Sequence, residues 1–218
     1  MISIAKKFIF IHINKTAGVS VNQALQSAVE DVPKWTYDKA KRYFGEPVIL
    51  PPGVIPQSDI KFKHAPHWTY DEYERYLGKS FNDFFKFSVV RNPWDRVVSY
   101  YLMKLGRHSR FRRRFPTFKK WIVSRYKKND FTNRMLKPCT YWLGDKMDFI
   151  ARFENLHEDF EKICERLNVE CELGHYNSAV DVGLKQERMP YRNYYDEETG
   201  EIIYNRFIDD INAFNYKF

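Results

Sequence analysis

The chain has 218 residues, of which 44% are hydrophobic and 29% charged, a composition typical of globular proteins that excludes collagen, coiled-coil and disulfide-scaffold classes. It carries 36 lysine and arginine residues against 28 aspartate and glutamate residues, so its formal net charge is +8. Twelve of the basic residues and none of the acidic ones lie in residues 96–129, so the positive excess is local and predicts an anionic partner or, alternatively, a solvated basic helix face.

The first predicted elements are a strand, a polar turn and a helix. Residues Lys7–Ile13 form a continuous apolar and β-branched run, which is typical of a buried parallel strand. Asn14–Ser20 is a polar turn that contains Gly18, and Val21–Val29 has helical spacing of its apolar residues. The chain is therefore expected to open with a strand–loop–helix unit.

Two further elements are predicted before the middle of the chain, after a proline-rich loop and a possible short strand at Ile60–His64. Thr69 is placed to cap a helix that ends at Leu77, with Glu72 in the capping-box position. Phe84–Val90 is a second buried strand. A helix follows it, because Asn92 is a good N-cap residue and Pro93 suits the first helical position.

The second half continues the alternation of helices and strands. A helix is predicted at Thr117–Lys127, a third strand at Met147–Phe153, an amphipathic helix at Leu156–Leu167 and a last helix near Glu201–Ile211 after a break at Gly200. Strands that alternate with helices predict an α/β fold with a mainly parallel sheet. The length suits a single domain over residues 1–218.

The loop after the first strand is a candidate anion site. Unpaired N–H groups and the helix dipole favour negative charge at a helix start. Lys15 adds a full charge, Gly18 permits close backbone approach, and Thr16 and Ser20 add hydroxyl groups. The loop lacks the glycine and lysine spacing of a Walker A motif. An ordinary strand-to-helix turn with a surface lysine is the alternative.

A second candidate anion site follows the second buried strand. Arg91 ends that strand, at the sheet edge where open α/β sheets bind ligands. Ser99 lies seven residues after Asn92, two turns along the same helix face. An arginine fork and a hydroxyl group can hold a phosphate. The alternative is that Arg91 pairs with Asp95 and braces the turn.

These two segments resemble a known family. HINKTAGVS is similar to the 5′-phosphosulfate loop of sulfotransferases, and FKFSVVRNPWDRVVSYY closely resembles their 3′-phosphate motif. The segments FKHAPHWTYDEYERYLG, IARFENLHEDFEKICERLNV and YRNYYDEETGEIIYNRFIDDINAFNYKF are similar to the carbohydrate-type and bacterial branch, in the expected order. The resemblance covers most of the chain. Val19 departs from it, since the family usually has threonine there.

The resemblance implies a P-loop-like three-layer fold, with a sheet flanked by helices, and a sulfuryl donor, 3′-phosphoadenosine 5′-phosphosulfate (PAPS). It implies transfer of the sulfuryl group to an acceptor hydroxyl without a metal ion. The similarity favours a saccharide as the acceptor. Motif matching assigns the 5′-phosphosulfate to Lys15, Thr16, Ala17, Gly18, Val19 and Ser20, and the 3′-phosphate to Arg91 and Ser99. Lys15 is placed to neutralise the leaving-group oxygen, because such transfers depend on positioning and electrostatics.

The acceptor hydroxyl needs a base. His64 is the first candidate, because it ends a predicted strand and resembles the family's Lys-His segment; a histidine that braces the loop is the alternative. His67 is the second candidate, and Glu154 stays open as a base or as the partner of Arg152. Lys185 and Arg188 lie where the family often places a loop over the nucleotide.

Two other functions remain open. A kinase on the same fold would need a Walker A loop and a magnesium-binding aspartate, which the sequence lacks in the expected form. A nucleic-acid-binding protein would use residues 96–129, where aromatic and basic side chains interleave. Cys139, Cys164 and Cys171 show no framework spacing and no signal peptide is evident, so we expect a soluble cytoplasmic protein.

Overall fold

A computed structural model describes residues 1–3, 5–29, 67–127, 136–174 and 188–218. The expected short strand at Ile60–His64 and the candidate base His64 lie outside these residues, as does Lys185. The chain divides into two units. The first contains Met1–Ile13, Ala17–Val90 and Trp142–Gly174, and the second contains Asn14–Thr16, Arg91–Tyr141 and His175–Phe218.

In its described residues, the first unit contains a four-stranded, mostly parallel sheet, so the α/β fold class is confirmed. The strands follow one another across the sheet in sequence order: β1 (Ile2–Ser3), β2 (Phe8–Ile11), β3 (Phe85–Val90) and β4 (Phe149–Arg152). The pairings β2–β3 and β3–β4 are parallel. The antiparallel pairing of β1 with β2 is one that the sequence did not predict.

Period-two alternation places Phe8, Phe10 and Phe87 on one face of this sheet, and the equally buried Ile9 and Ile11 on the other. Phe10 lies opposite Phe87, and Phe87 lies opposite Phe149. This face packs against two helices, α1 (Gly18–Ala28) and α6 (Leu156–Leu167), which contribute residues such as Val21, Leu25, Phe160 and Ile163 to the core. Their hydrophobic faces and the sheet face bury one another, which is the main stabilising term for this layer.

Helix α2 (Tyr70–Leu77) begins as the sequence predicts. The Thr69 side chain accepts a hydrogen bond from the Glu72 backbone N–H, and the Glu72 carboxylate accepts one from the Thr69 N–H at 2.7 Å. This reciprocal capping box satisfies two N–H groups that the first turn would leave unpaired. A 3₁₀ helix (Gly78–Asp83) leads from α2 to β3.

The second unit is helical in its described residues. Its helices are α3 (Pro93–Arg107), α4 (Ser109–Arg114), α5 (Phe118–Lys127), α7 (Glu197–Arg206) and α8 (Ile208–Phe214). Helix α3 begins as predicted, because the Asn92 side chain accepts hydrogen bonds from the Trp94 and Asp95 backbone N–H groups. Its aromatic face packs on α5, where Trp121 stacks on Tyr101 with ring centroids 5.4 Å apart.

The expected last helix near Glu201–Ile211, with a break at Gly200, is wrong. A capping box between Asp196 and Thr199 starts α7 before Gly200, so this glycine lies inside the helix. The break instead falls at Phe207, which is 1% exposed and separates α7 from α8. The break therefore coincides with a buried aromatic residue, and the weak helix propensity of glycine does not set its position.

Candidate functional site

The loop between β2 and α1 has an unusual backbone. Lys15 and Ala17 both have a positive φ, 65° and 66°, a conformation that few non-glycine residues adopt. Ala17 is the N-cap of α1 and offers no side-chain acceptor to the first turn, which also carries no acidic residue. Backbone N–H groups in turns and at helix starts commonly bind anions, so this loop is a candidate anion site.

Lys15 is surrounded by positive charge. The side chain is partly buried, and its pKa is lowered to about 8 by desolvation first and then by the charges of Arg91, Arg107 and Arg188. Asp95 pairs with two of these arginines. The charges of Lys15 and the three arginines repel one another, and a bound anion would relieve that repulsion. The electrostatics therefore favour a phosphate-like ligand at Lys15.

Arg91 is buried and held by two partners. Its Nε and Nη2 atoms lie 2.8 Å and 2.7 Å from Asp95 Oδ2, and Nη1 donates to the backbone carbonyl of Lys15 at 3.1 Å. The structure thus shows the bracing contact that the sequence left as an alternative for Arg91. It also shows that Arg91 supports the loop that carries Lys15. A 3′-phosphate contact by Arg91 stays a prediction.

Arg188 also approaches Asp95. Its Nη2 donates to the Asp95 carboxylate and to the Asp95 backbone carbonyl, the latter at 3.2 Å. The resemblance gave Arg188 only as a residue near a nucleotide-closing loop. Its bond to Asp95 fixes its charge close enough to Lys15 to lower the pKa of that amine. Arg188 is therefore part of the same positive cluster.

Arg96 is a site residue that the sequence analysis missed. The side chain is 2% exposed; Nε donates to the Asn14 carbonyl at 2.8 Å, and Nη1 donates to the Lys137 carbonyl at 2.8 Å. Asp210 also stabilises the turn at residues 137–140, because its carboxylate accepts a hydrogen bond from the Cys139 backbone N–H at 2.7 Å. Arg96 therefore fixes the backbone immediately before Lys15. An arginine on the apolar face of α3 was the signal that could have revealed it.

The other residues of the two predicted anion sites differ in their exposure to solvent. Thr16 and Ser20 are buried, whereas Val19 and Ser99 are partly exposed. Ser99 lies on α3, two turns beyond the cap residue Asn92, as the spacing predicts. Asn92 also contacts the C-terminal segment, because its side-chain amide donates a hydrogen bond to the Lys217 carbonyl at 3.0 Å.

Gly18 makes room for a histidine. A Cβ atom at Gly18 would overlap the His12 imidazole, so only glycine lets the first turn of α1 lie against that ring. The His12 Nδ1 atom lies 3.2 Å from the Asn22 side-chain amide. Within the first unit, Gly18 therefore serves the packing of His12, a role different from the ligand approach that the sequence suggested.

His67 is oriented by the same strand end. Its Nδ1 lies 2.9 Å from the backbone carbonyl of His12, an acceptor only, so Nδ1 carries the proton and donates. In the neutral ring, Nε2 then has the lone pair. His67 is partly exposed, and its ring centroid lies 4.5 Å from that of His12. Glu154, in contrast, is exposed in a 3₁₀ turn (Phe153–Asn155) after β4.

The basic segment separates its aromatic and charged side chains. Tyr100, Tyr101, Phe118 and Trp121 are all buried at 5% exposure or less, so they are core residues. The α4 helix has no buried residue and presents its arginines to solvent. Base-stacking platforms need exposed rings. The described part of this segment therefore matches the alternative of a solvated basic helix face and does not favour nucleic-acid binding.

Across the described residues, no group of three or more histidine, cysteine, aspartate or glutamate side chains is placed to hold a metal ion. In the same part of the chain, no helix combines the length and apolar character that a membrane crossing requires.

Comparison with known proteins gives a family. The model of the Sulfotransferase family matches residues 1–217. The chain is also 31% identical over 106 residues to an uncharacterized protein of Archaeoglobus fulgidus, a match that covers 47% of this chain and 84% of that protein. No solved structure matches.

Proposed function

The chain belongs to the sulfotransferase family, and from this premise we propose that it moves the sulfuryl group of PAPS to a hydroxyl group of a saccharide. The observation that carries the proposal is the partly buried Lys15 amine among three arginine charges. A doubly or triply charged phosphate ester complements that cluster, and a neutral substrate does not. The family match supports sulfuryl transfer in general.

In the proposed reaction, the sulfur–oxygen bond to the donor's 5′-phosphate breaks while the acceptor oxygen forms a new bond to sulfur. Negative charge develops on the bridging oxygen of the departing phosphate. Lys15 neutralises that charge, and the N–H groups at the start of α1 hold the phosphate oxygens. Arg91 and Ser99 are assigned to the 3′-phosphate, where Arg91 exchanges part of its contact with Asp95 for the ligand.

The proton of the acceptor hydroxyl goes to a histidine. We assign this role to His67, because the hydrogen bond from Nδ1 to the His12 carbonyl fixes the tautomer in which Nε2 is the basic nitrogen of the ring. His64 stays the alternative base. His67→Gln is expected to lower kcat by roughly 10²–10⁴ and to leave nucleotide affinity unchanged. His64→Gln is the matched variant, and the base is the histidine whose loss removes the acidic limb of the pH–rate profile.

The saccharide acceptor is proposed from the resemblance to the carbohydrate branch. Exposed arginines of α4 offer charge to an acceptor that carries carboxylate or sulfate groups. We also place the reaction in the cytoplasm, because free cysteines are typical of proteins of that reducing compartment. Radiolabelled PAPS supplied with neutral, carboxylated and sulfated saccharides tests the acceptor class, since transfer to none of them contradicts it.

Calorimetry with adenosine 3′,5′-bisphosphate, the desulfated product, tests the donor. We expect sub-millimolar binding, weaker binding of adenosine 5′-monophosphate, and loss of transfer in Lys15→Ala with the fold intact. Folded protein that binds neither nucleotide contradicts the donor assignment. Magnesium-dependent consumption of ATP would instead indicate a kinase.

A further inference from the structure

We propose that Cys164 and Cys171 are a modification site: the pair is oxidised reversibly to a disulfide that joins the end of α6 to the segment after it. Their Sγ atoms lie 2.9 Å apart, and both are free thiols in the structure. Two sulfurs at this separation need to approach by only about 1 Å to bond. The proposal does not depend on the sulfotransferase reaction.

The backbone after α6 brings the two cysteines together. The helix ends at Leu167, and Asn168 adopts a left-handed conformation with φ 50°. The Val169 N–H then donates to the Cys164 carbonyl at 3.1 Å, which reverses the chain. Cys164 lies in the hydrophobic core of the first unit, and Cys171 packs against that core from outside. The turn is therefore built before oxidation, and the disulfide would only close it.

The two thiols have different chemical roles. Cys164 is 7% exposed and Cys171 is partly exposed, so an oxidant reaches Cys171 first. The two thiols share a hydrogen bond in which either sulfur can donate, and this contact with Cys164 lowers the pKa of Cys171. The same hydrogen bond, followed by burial, raises the pKa of Cys164. This asymmetry is the one expected of a nucleophilic thiol with a resolving partner.

The oxidant is a low-molecular-weight disulfide. The Cys171 thiolate attacks one of its sulfurs, forms a mixed disulfide and expels a thiolate. Cys164 then attacks the Cys171 sulfur and expels the second small thiolate, which leaves the Cys164–Cys171 disulfide. Two electrons pass from the protein thiols to the small disulfide, and the two protein protons end on the two released thiols.

The charges around Cys171 decide which probe to use. Glu170 and Glu172 flank it, and both are exposed. Their carboxylates repel anionic disulfides such as oxidised glutathione. Bis(2-hydroxyethyl) disulfide is uncharged and is therefore the probe, applied to the full reduced chain at neutral pH.

Intact mass and thiol titration give the readout. The reduced chain has three cysteines, and we expect the oxidised chain to keep only the Cys139 thiol and to lose about 2 Da. Cys139 is fully buried, and burial first raises its pKa to about 12, so it is the internal control. Closing so short a loop is expected to lower the unfolding equilibrium constant on the order of 50-fold, and dithiothreitol is expected to reverse this.

Two variants test the two thiol–disulfide exchange steps separately. Cys164→Ala is expected to stop at one probe adduct on Cys171, and Cys171→Ser is expected to keep both remaining thiols. The proposal is overturned if the folded wild-type chain keeps three thiols, or if it accumulates a stable adduct on Cys171 without closing the disulfide. It is also overturned if tryptic mapping finds Cys139 in the oxidised pair.

Discussion

Replacing Arg96 with methionine tests whether this buried guanidinium holds the Lys15 loop. Methionine keeps most of the aliphatic volume and removes the hydrogen bonds to the Asn14 and Lys137 carbonyls, each 2.8 Å long. Two hydrogen bonds from a charged donor contribute about 3–6 kcal/mol. Methionine also avoids the desolvation of a buried charge, which offsets part of the loss. Because the two carbonyls lose their donor, we expect the free energy of unfolding to fall by about 2–4 kcal/mol in total.

Urea unfolding measures this loss, and calorimetry with adenosine 3′,5′-bisphosphate measures its effect on the site. We expect nucleotide affinity to fall at least tenfold in Arg96→Met, because the backbone before Lys15 loses its anchor. Arg96→Lys is expected to be intermediate, since an ammonium group lacks the guanidinium fork. Arg110→Met is the matched control: Arg110 is exposed on α4, and its loss should change stability by no more than about 0.5 kcal/mol.

The reasoning is refuted if Arg96→Met unfolds within about 0.5 kcal/mol of the wild type. A second refuting result is a destabilised variant whose nucleotide affinity is unchanged when measured well below its unfolding temperature. In that case Arg96 would stabilise the second unit without positioning the loop.

Three further outcomes follow from named contacts. Nucleotide affinity should fall by up to about tenfold per pH unit above pH 8, because the Lys15 pKa of about 8 leaves the amine neutral there. Calorimetry should record proton uptake when the nucleotide binds, and Lys15→Arg should abolish the pH dependence of the affinity. Gly18→Ala should destabilise the fold by about 1–3 kcal/mol in urea, because its Cβ overlaps His12. Gly200→Ala should stabilise the fold by about 0.5–1 kcal/mol, because Gly200 lies inside α7 and an added Cβ would meet no atom within 4 Å. Equal effects of the two substitutions on stability would contradict the packing argument.

Elements with strong local signals were predicted well. The α6 helix has the predicted bounds, Leu156–Leu167, because its amphipathic pattern is long and continuous. The starts of α2 and α3 follow from Thr69 and Asn92, whose caps involve residues only two or three positions away. The α1 helix begins at Gly18, three residues before the predicted start, because apolar periodicity does not reveal a polar first turn.

The existence of β2, β3 and β4 and the presence of Lys15 and Arg91 after strand ends could be predicted, because they depend on the hydrophobic pattern along the chain, whereas the order of the strands in the sheet was not predicted. Only the tertiary structure decided what Arg91, Arg96 and Gly18 contact. Their partners, the Lys15 and Asn14 carbonyls and the His12 ring, are set by packing between segments that the sequence cannot align. A side chain's residue type fixes what it can bond, but the distance to its partner is a property of the fold.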